Sequence, residues 1–531
     1  MNVYLVGVII SFIIYLAVSF IVSKYVKGAD DYFVAGRNAP TGLIVGSMVA
    51  SLISTGLFLG DSGEAYNGIW IATAGCAAIS AGGYVVGAIF FSRFLRRADV
   101  YTVPGFFQKR FCSRAVGLVA SITVIITMAV YLLSVTQGGA TLMSNVTGLS
   151  YNVCALLAVL LFTIMVITSG SKGVLITDTI MFGLFTSIGI ICVVIVSVKG
   201  GGWWNIIEDI GADPEKSYLL SWSGKLGYLY DTGLENVVYF LAYGISWAGV
   251  AFCGPWQCSR NIMAKNEHTV IRSAVWVILG CFGINYLVQL GAVFMHAFDI
   301  GDTEPTQVWL WASETILPTV IGVILITGII AAAVSSAITF LSLIGASISN
   351  DIFRVQDGKK NVLVSRISML VVAAIVLLVT IVNPPNIWWI MQIGATVIIC
   401  ALLPTAIASV WSKSVTKAGA FAGILVGFCV SFAMKVLTTW MGVSVPIWCD
   451  VYFVATAASI LALVIVSKAT KVTPEEEAQR AALFVVPEGE DDPVEVEKTR
   501  RSLKASVWIG AGIFVFCLVT WIIPYYIGMY S

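Results

Sequence analysis

Residues 46–63 read GSMVASLISTGLFLGDSG, and the fold turns on how they are read. The stretch is long and apolar enough to enter a bilayer, yet residues 51–56 at its centre form a cluster of Ser, Thr and Gly where a lipid-facing helix prefers Leu, Ile and Val. A helix interrupted there frees backbone carbonyls and amides. At membrane depth such groups persist only where protein, water or a bound ion satisfies them, and freed carbonyls suit a sodium ion. Close packing of helices through small residues is the alternative source of the same composition. Residues 240–258, FLAYGISWAGVAFCGPWQC, repeat the pattern, with Gly244, Gly249, Gly254 and Pro255 interrupting an apolar run in the corresponding part of a helix.

The rest of the chain is measured outward from these two. A hydrocarbon core about 30 Å thick takes about 20 apolar residues per helix. Candidate spans lie at 3–23, 41–60, 69–91, 115–144, 150–169, 174–198, 234–256, 271–297, 316–349, 362–382, 386–411, 416–437, 447–467 and 505–528, fourteen in all. The two interrupted stretches are the second and seventh, so they cross in opposite senses. Spans 2–6 and 7–11 therefore read as inverted repeats, a frequent transporter construction. The first span lacks a basic leader and a well-placed cleavage site, so it reads as a helix rather than a signal peptide.

Charge supports this count independently. Of the 30 Lys and Arg, all but Lys199, Lys216, Lys225 and Lys435 fall on one alternating set of connections. That set is expected in the cytoplasm, with both termini outside. One span missed or invented would send every later loop to the wrong side. The mixed-charge run 468–504 then lies inside as a solvated, flexible tether, and the acidic, Trp-rich connection 199–233 lies outside.

Composition narrows the function. At 58% hydrophobic and 11% charged residues, with mean hydropathy +0.93, the chain has too little polar surface for a soluble fold of this size. A net charge of +1 gives no sign of a nucleic-acid partner. Eleven cysteines without a C-x-x-C pair read as buried thiols, not a disulfide framework or zinc site. The two histidines, His268 and His296, fall at or beyond span ends, which leaves no nucleophile, base or metal cluster for an enzyme and implies no cofactor. Asp178 is the carboxylate well inside an apolar stretch of the first repeat. An acid in that setting is a functional candidate; a favourable place near the start of a helix is the alternative.

AAAVSSAITFLSLIGASISNDIFR at 331–354 and DDYFVAGRNAP at 30–40 closely resemble the sodium:solute symporter family, as do GVLITDTIMF at 173–182, WQCSRNIMAKN at 256–266 and WSKSVTKAGAFAGILVG at 411–427. The resemblance implies an all-α integral membrane protein with a LeuT-type 5+5 inverted repeat. On it, 1–40 is an extra helix and loop, 41–198 the first repeat, 199–233 an outer loop, 234–411 the second repeat, and 412–531 three further helices. It also implies a sodium ion held by carbonyls and hydroxyls at Ala50, Ile53, Ala332, Ser335 and Ser336, with Asp178 on the ion's inner exit route. Both serines have an alternative role, bonding back to carbonyls one turn earlier. Some members hold a second sodium with this aspartate and hydroxyls one turn below the serine pair. Here those positions are Ile338 and Thr339, so one hydroxyl is missing and one sodium per cycle is expected.

The same resemblance places the solute near Ser54, Leu57, Trp247 and Gln392. Leu57 and Cys76 depart from the sugar-transporting branch, leaving a monocarboxylate, a vitamin such as pantothenate, or a neutral or zwitterionic amino acid. Neither Arg nor Lys is expected deep in a core span, so an anionic solute would rely on helix N-terminal amides, the sodium ion and polar side chains. Trp247, Trp256, Trp388 and Trp389 could cage a quaternary ammonium, although Trp388 and Trp389, beside NPPN at 383–386, read better as interface anchors. The expectation is a sodium-coupled symporter in a bacterial inner membrane whose partners are lipid, Na+ and a small organic solute. A proton-coupled or exchange transporter on the same fold, and a membrane sensor, are the alternatives.

Overall fold

The computed structural model describes residues 2–383 and 387–531. These are helical throughout apart from connections and one isolated parallel bridge between Ala39 and Ala264. The helices that matter are α1 (Val3–Ser23), α2 (Thr41–Leu52), α3 (Gly56–Ile69, with π-helical turns), α4 (Trp70–Gly87), α5 (Arg114–Thr147), α6 (Tyr151–Lys199), α7 (Gly233–Cys253) and α8 (Pro255–Met263). They continue with α9 (Glu267–Val293), α10 (Thr319–Ala346), α11 (Gly358–Val382), α12 (Ile387–Trp411), α13 (Lys417–Lys435), α14 (Val451–Ala469), α15 (Pro474–Ala482) and α16 (Pro493–Cys517). Pro384–Asn386 and the side chains of Trp388 and Trp389 lie outside the described residues.

Among the described residues twelve helices are long and apolar enough to cross a membrane, thirteen when the bent pair α2 and α3 is counted as one span. The 49-residue α6 is about 74 Å long at a rise of 1.5 Å per residue, more than twice the hydrocarbon thickness. It divides at Gly170, whose φ of 56° and ψ of −159° suit glycine alone, and a Cβ there would stand 2.7 Å from the Tyr32 carbonyl oxygen. That division gives two crossings where the sequence places two spans.

Both interruptions are present, each with a local cause. α2 stops at Leu52, Ile53 is extended (φ −82°, ψ 122°), and α3 departs at 51°. α7 stops at Cys253, Gly254 takes φ −58° and ψ 128°, and Pro255 restarts the helix at the position where its missing N–H costs least. The second break is thus confined to Gly254–Pro255. Gly244 and Gly249 remain helical and make room for Ile79 and Ile399. Because α8 continues to Met263, Arg260 belongs to a broken membrane helix and not to a loop. It is 1% exposed, which corrects the expectation of core spans free of cations.

α10 is buried along most of its length, packed against α1, α2, α5 and α6. Helix faces turned away from this core carry large apolar side chains outward, among them Ile13, Leu370, Ile465 and Phe514, as lipid-facing surfaces do.

The segment 468–504 is not a solvated tether. Thr473 and Glu476 form a capping box that starts α15, and the buried Glu476 carboxylate also accepts from the Lys417 amide. Arg110 donates to the Ser409 carbonyl at 2.6 Å and the Glu476 carbonyl at 2.8 Å. Arg97 bridges Glu267 and the Leu483 carbonyl, His268 meets Thr499 and the Glu490 carbonyl, and Arg272 pairs with Glu495. Glu476 and Glu495 are drawn into these contacts while Glu475, Glu477, Glu488 and Asp491 stay exposed, so the segment is docked at a few points along an otherwise solvated run.

Each Arg110 bond to a carbonyl contributes about 1.5–3 kcal/mol as a charged hydrogen bond. Limited proteolysis in nanodiscs should therefore cut 468–504 slowly in the wild type and about tenfold or more faster in Arg110→Ala. Equal rates in both proteins would restore the tether.

Candidate functional site

The break after Leu52 brings four elements together: α2, α8, α6 beyond its kink, and the middle of α10. Ser336 of α10 donates to the carbonyl oxygen of Ile53 at 3.4 Å, so its hydroxyl faces the backbone that the interruption has freed. Ser335, its neighbour, donates to Asp178 Oδ1 at 2.7 Å. Neither serine bonds back to its own helix in these contacts, unlike Ser121, Thr123 and Thr136 on α5. A hydroxyl that gives its proton to a carboxylate keeps its lone pairs for a cation. Ala50 on α2 and Ala332 on α10 are fully buried.

Asp178 is fully buried and answered on every side. Ser47 donates to Oδ2 at 2.6 Å, Arg260 donates to the same oxygen at 2.7 Å, and Ser335 holds Oδ1. Arg260 also reaches Ser47 through Nε, Ser259 and the Trp256 carbonyl through Nη1, and the Thr339 hydroxyl through Nη2. Gln257, one turn earlier on α8, donates to the Met48 carbonyl and to Ser51. The ion pair therefore ties α8 to α2, α6 and α10. Asp178 stands eight residues beyond Gly170, past the first turn of the resumed helix, so a place at the helix start does not account for it.

No spacing or motif connects Arg260 with Asp178, 82 residues apart. The available signal was Pro255: a proline able to open a helix carries the chain one turn past Trp256, and Arg260 then falls on the face of Trp256. Thr339 carries the hydroxyl expected one turn below the serine pair, and the guanidinium takes it.

Above the break lies a cavity of about 40 Å3 lined by residues including Ser54, Leu57, Asp61, Tyr131, Tyr243 and Trp247. Ser54, Leu57 and Trp247 share this lining, and Cys76 joins them. Gln392 does not line this cavity. It is buried with neither amide atom hydrogen-bonded, and its neighbour Met391 forms the wall instead. Trp256 is buried against Tyr131 and Phe340 and is likewise outside the lining. A volume of this size holds water but not an amino acid, so the walls must part for a solute to enter.

Comparison with known proteins bears on this geometry. The family model described as the sodium:solute symporter family matches residues 32–427. A sodium/proline symporter of Staphylococcus aureus is 23% identical over 445 residues, 79% of this chain and 83% of that protein. A sodium/proline symporter of Escherichia coli strain K12 is 24% identical over 474 residues, 82% and 88% of the two chains. Among solved structures, a Na+-coupled sialic acid symporter in a substrate-bound outward-open state matches with TM-score 0.73 at 19% identity, over 88% of this chain and 97% of that one. A nucleobase-cation-symport-1 family transporter, closed with bromovinylhydantoin bound, matches with TM-score 0.57 at 12% identity, over 85% and 98%. At these identities the structures speak to the fold, which is the LeuT-type inverted repeat.

Removing one partner of a buried ion pair strands the other and costs about 3–5 kcal/mol, whereas replacing both by neutral groups costs less. Asp178→Asn should therefore lower unfolding stability in detergent by that amount, and Asp178→Asn with Arg260→Met should recover most of it. A double variant no more stable than the single one would show that the pair is not coupled.

Proposed function

The chain belongs to the sodium:solute symporter family, and from that premise, of a multi-pass membrane protein that couples solute import to Na+ and is not an enzyme, we propose that one Na+ per cycle binds at the interruption of α2. Its ligands are the carbonyl oxygens of Ala50, Ile53 and Ala332 and the hydroxyls of Ser335 and Ser336. The observation that carries this reading is the convergence of the Ser336 hydroxyl and the Ile53 carbonyl across two helices, with Ser335 turned by Asp178 beside them. Five neutral oxygens replace part of a hydration shell without burying a second anion there.

One ion, not two, follows from Arg260. Its guanidinium occupies the Asp178 carboxylate and the Thr339 hydroxyl, the groups a second sodium would need. A fixed cation within hydrogen-bonding distance of those oxygens repels a mobile one. Asp178 then serves the leaving ion: as Na+ loses the Ile53 side of its shell, the Ser335 hydroxyl and this carboxylate lie next on the way to the basic face, which is the cytoplasmic face of this reading. The carried charge couples to voltage at about 2.3 kcal/mol per 100 mV, or about 50-fold in accumulation.

The solute occupies the cavity of Ser54, Leu57 and Trp247, with Gln392 reached when the Met391 wall moves. Its class is a monocarboxylate, a vitamin of the pantothenate kind, or a neutral or zwitterionic amino acid. The sodium/proline symporters among the relatives make amino acids the first to try.

In proteoliposomes carrying an inward Na+ gradient, L-proline, L-alanine, pantothenate and pyruvate are offered as labelled solutes. Uptake of one of them should require Na+ in the wild type and fall at least tenfold in Ser335→Ala and Ser336→Ala. Uptake indifferent to both serines would remove the site from the mechanism.

A further inference from the structure

The solute cavity has a carboxylate in its wall, and the ion site does not use it. Asp61 ends the π-helical turn Gly56–Asp61 and lines the cavity together with Tyr131, Tyr243 and Trp247. Cys76 lines the same cavity, so the carboxylate shares one small space with a thiol and the aromatic residues. The turn is held from behind: Ser62 donates to the Leu57 carbonyl at 2.8 Å, and Trp309 Nε1 donates to Ser62 at 3.1 Å. Asp61 is half-buried, so the low dielectric around it strengthens whatever charge it meets.

The lining includes no Lys, Arg or His among the described residues. An anion without a compensating cation of its own therefore meets a carboxylate on entry. A cation meets that carboxylate and three aromatic rings whose faces attract positive charge. Two of these rings are in contact, Tyr243 edge-on to Trp247 at 6.4 Å between centroids, and Tyr239 stacks behind Tyr243 at 6.0 Å.

A second group points to the other end of the solute. Trp247 is 8% exposed and lines the cavity, and its Nε1–H is buried without a hydrogen-bond partner among the described residues. Buried donors are almost always satisfied, so this one calls for an acceptor from whatever fills the cavity. A carboxylate oxygen is such an acceptor.

We propose that Asp61 is a specificity-determining residue that binds a positively charged nitrogen of the solute, while Trp247 Nε1 donates to the solute's carboxylate. The transported compounds are therefore zwitterions carrying a protonated or quaternary amine, and simple monocarboxylates and pantothenate are rejected. This rests on the proposal that the cavity above the ion site is where the solute binds. It narrows the three solute classes to one, and it involves no covalent step.

The test pairs molecules of one shape that differ in the charged nitrogen. L-proline is compared with tetrahydrofuran-2-carboxylate, in which oxygen replaces the ring ammonium. Glycine betaine, pyruvate and pantothenate complete the set. Each is applied to wild-type and Asp61→Asn proteoliposomes while Na+-driven transport current is recorded. Na+-induced thermal stabilisation without solute is measured on both proteins, and it reports the ion site separately.

The expected result is current from L-proline or glycine betaine and none from the three compounds lacking a charged nitrogen. In Asp61→Asn the KM for the accepted zwitterion should rise about 30-fold or more, the scale of removing one side of a buried charge pair, with Na+ stabilisation unchanged. Current from tetrahydrofuran-2-carboxylate, pyruvate or pantothenate equal to that from the zwitterions would overturn the assignment of Asp61 while leaving sodium symport standing. An unchanged KM in Asp61→Asn would do the same. Absence of any Na+ stabilisation in the wild type would instead overturn the ion site, and zwitterion selectivity lost in Asp61→Asn would then still support Asp61.

Discussion

A carbonyl freed inside a membrane has to be answered by something polar, and the interruption of α2 at Ile53 sets that demand at the centre of the molecule. Everything around the break is arranged to meet it. α10 offers two adjacent hydroxyls, α8 lays Gln257 against the last turn of α2, and α6 supplies a carboxylate that orients one of the serines. An uninterrupted helix would satisfy its own backbone and leave these groups without purpose. The second break, at Gly254, has a different consequence: it lets α8 turn Arg260 toward the same cluster.

Arg260 and Asp178 form a neutral unit whose members are each almost completely buried. Such a pair is not retained for stability, since an apolar substitute of similar volume is often as good. Its place here suggests a mechanical role. Ser335 is shared between the pair and the proposed ion shell, so occupancy of the shell is felt by Asp178, and through it by α6 and α8. Four helices, α2, α6, α8 and α10, meet at this point. The packed segment 468–504 restrains the basic end of the same assembly, joining the connections at Arg97, Arg110, Glu267 and Lys417.

The architecture was legible because a bilayer imposes a length on every helix and charge marks each loop. Those two rules located the spans, including the two that share α6. The interrupted helices were also visible, although Gly244 and Gly249 looked like breakers and proved to be packing positions, where α7 approaches Ile79 and Ile399. What escaped was pairing over distance. In 255–263 only Pro255 hints that the helix resumes and carries Arg260 inward, and a basic residue just past a span otherwise obeys the same statistics as a loop arginine. Asp61 stood in the first stretch to be read, yet its membership of a cavity depends on a π-helical turn that hydropathy does not encode. Charge runs such as 473–499 look solvated in composition and are buried in part by partners hundreds of residues away.

The most direct test is equilibrium binding of 22Na+ to purified protein in nanodiscs, titrated to saturation and counted per chain. One site per protein, weakened at least tenfold in Ser336→Ala and retained in a variant at the lipid-facing Ile13, is the result that a single ion at the α2 break requires. Two sites per chain, or one site indifferent to Ser336, would contradict it.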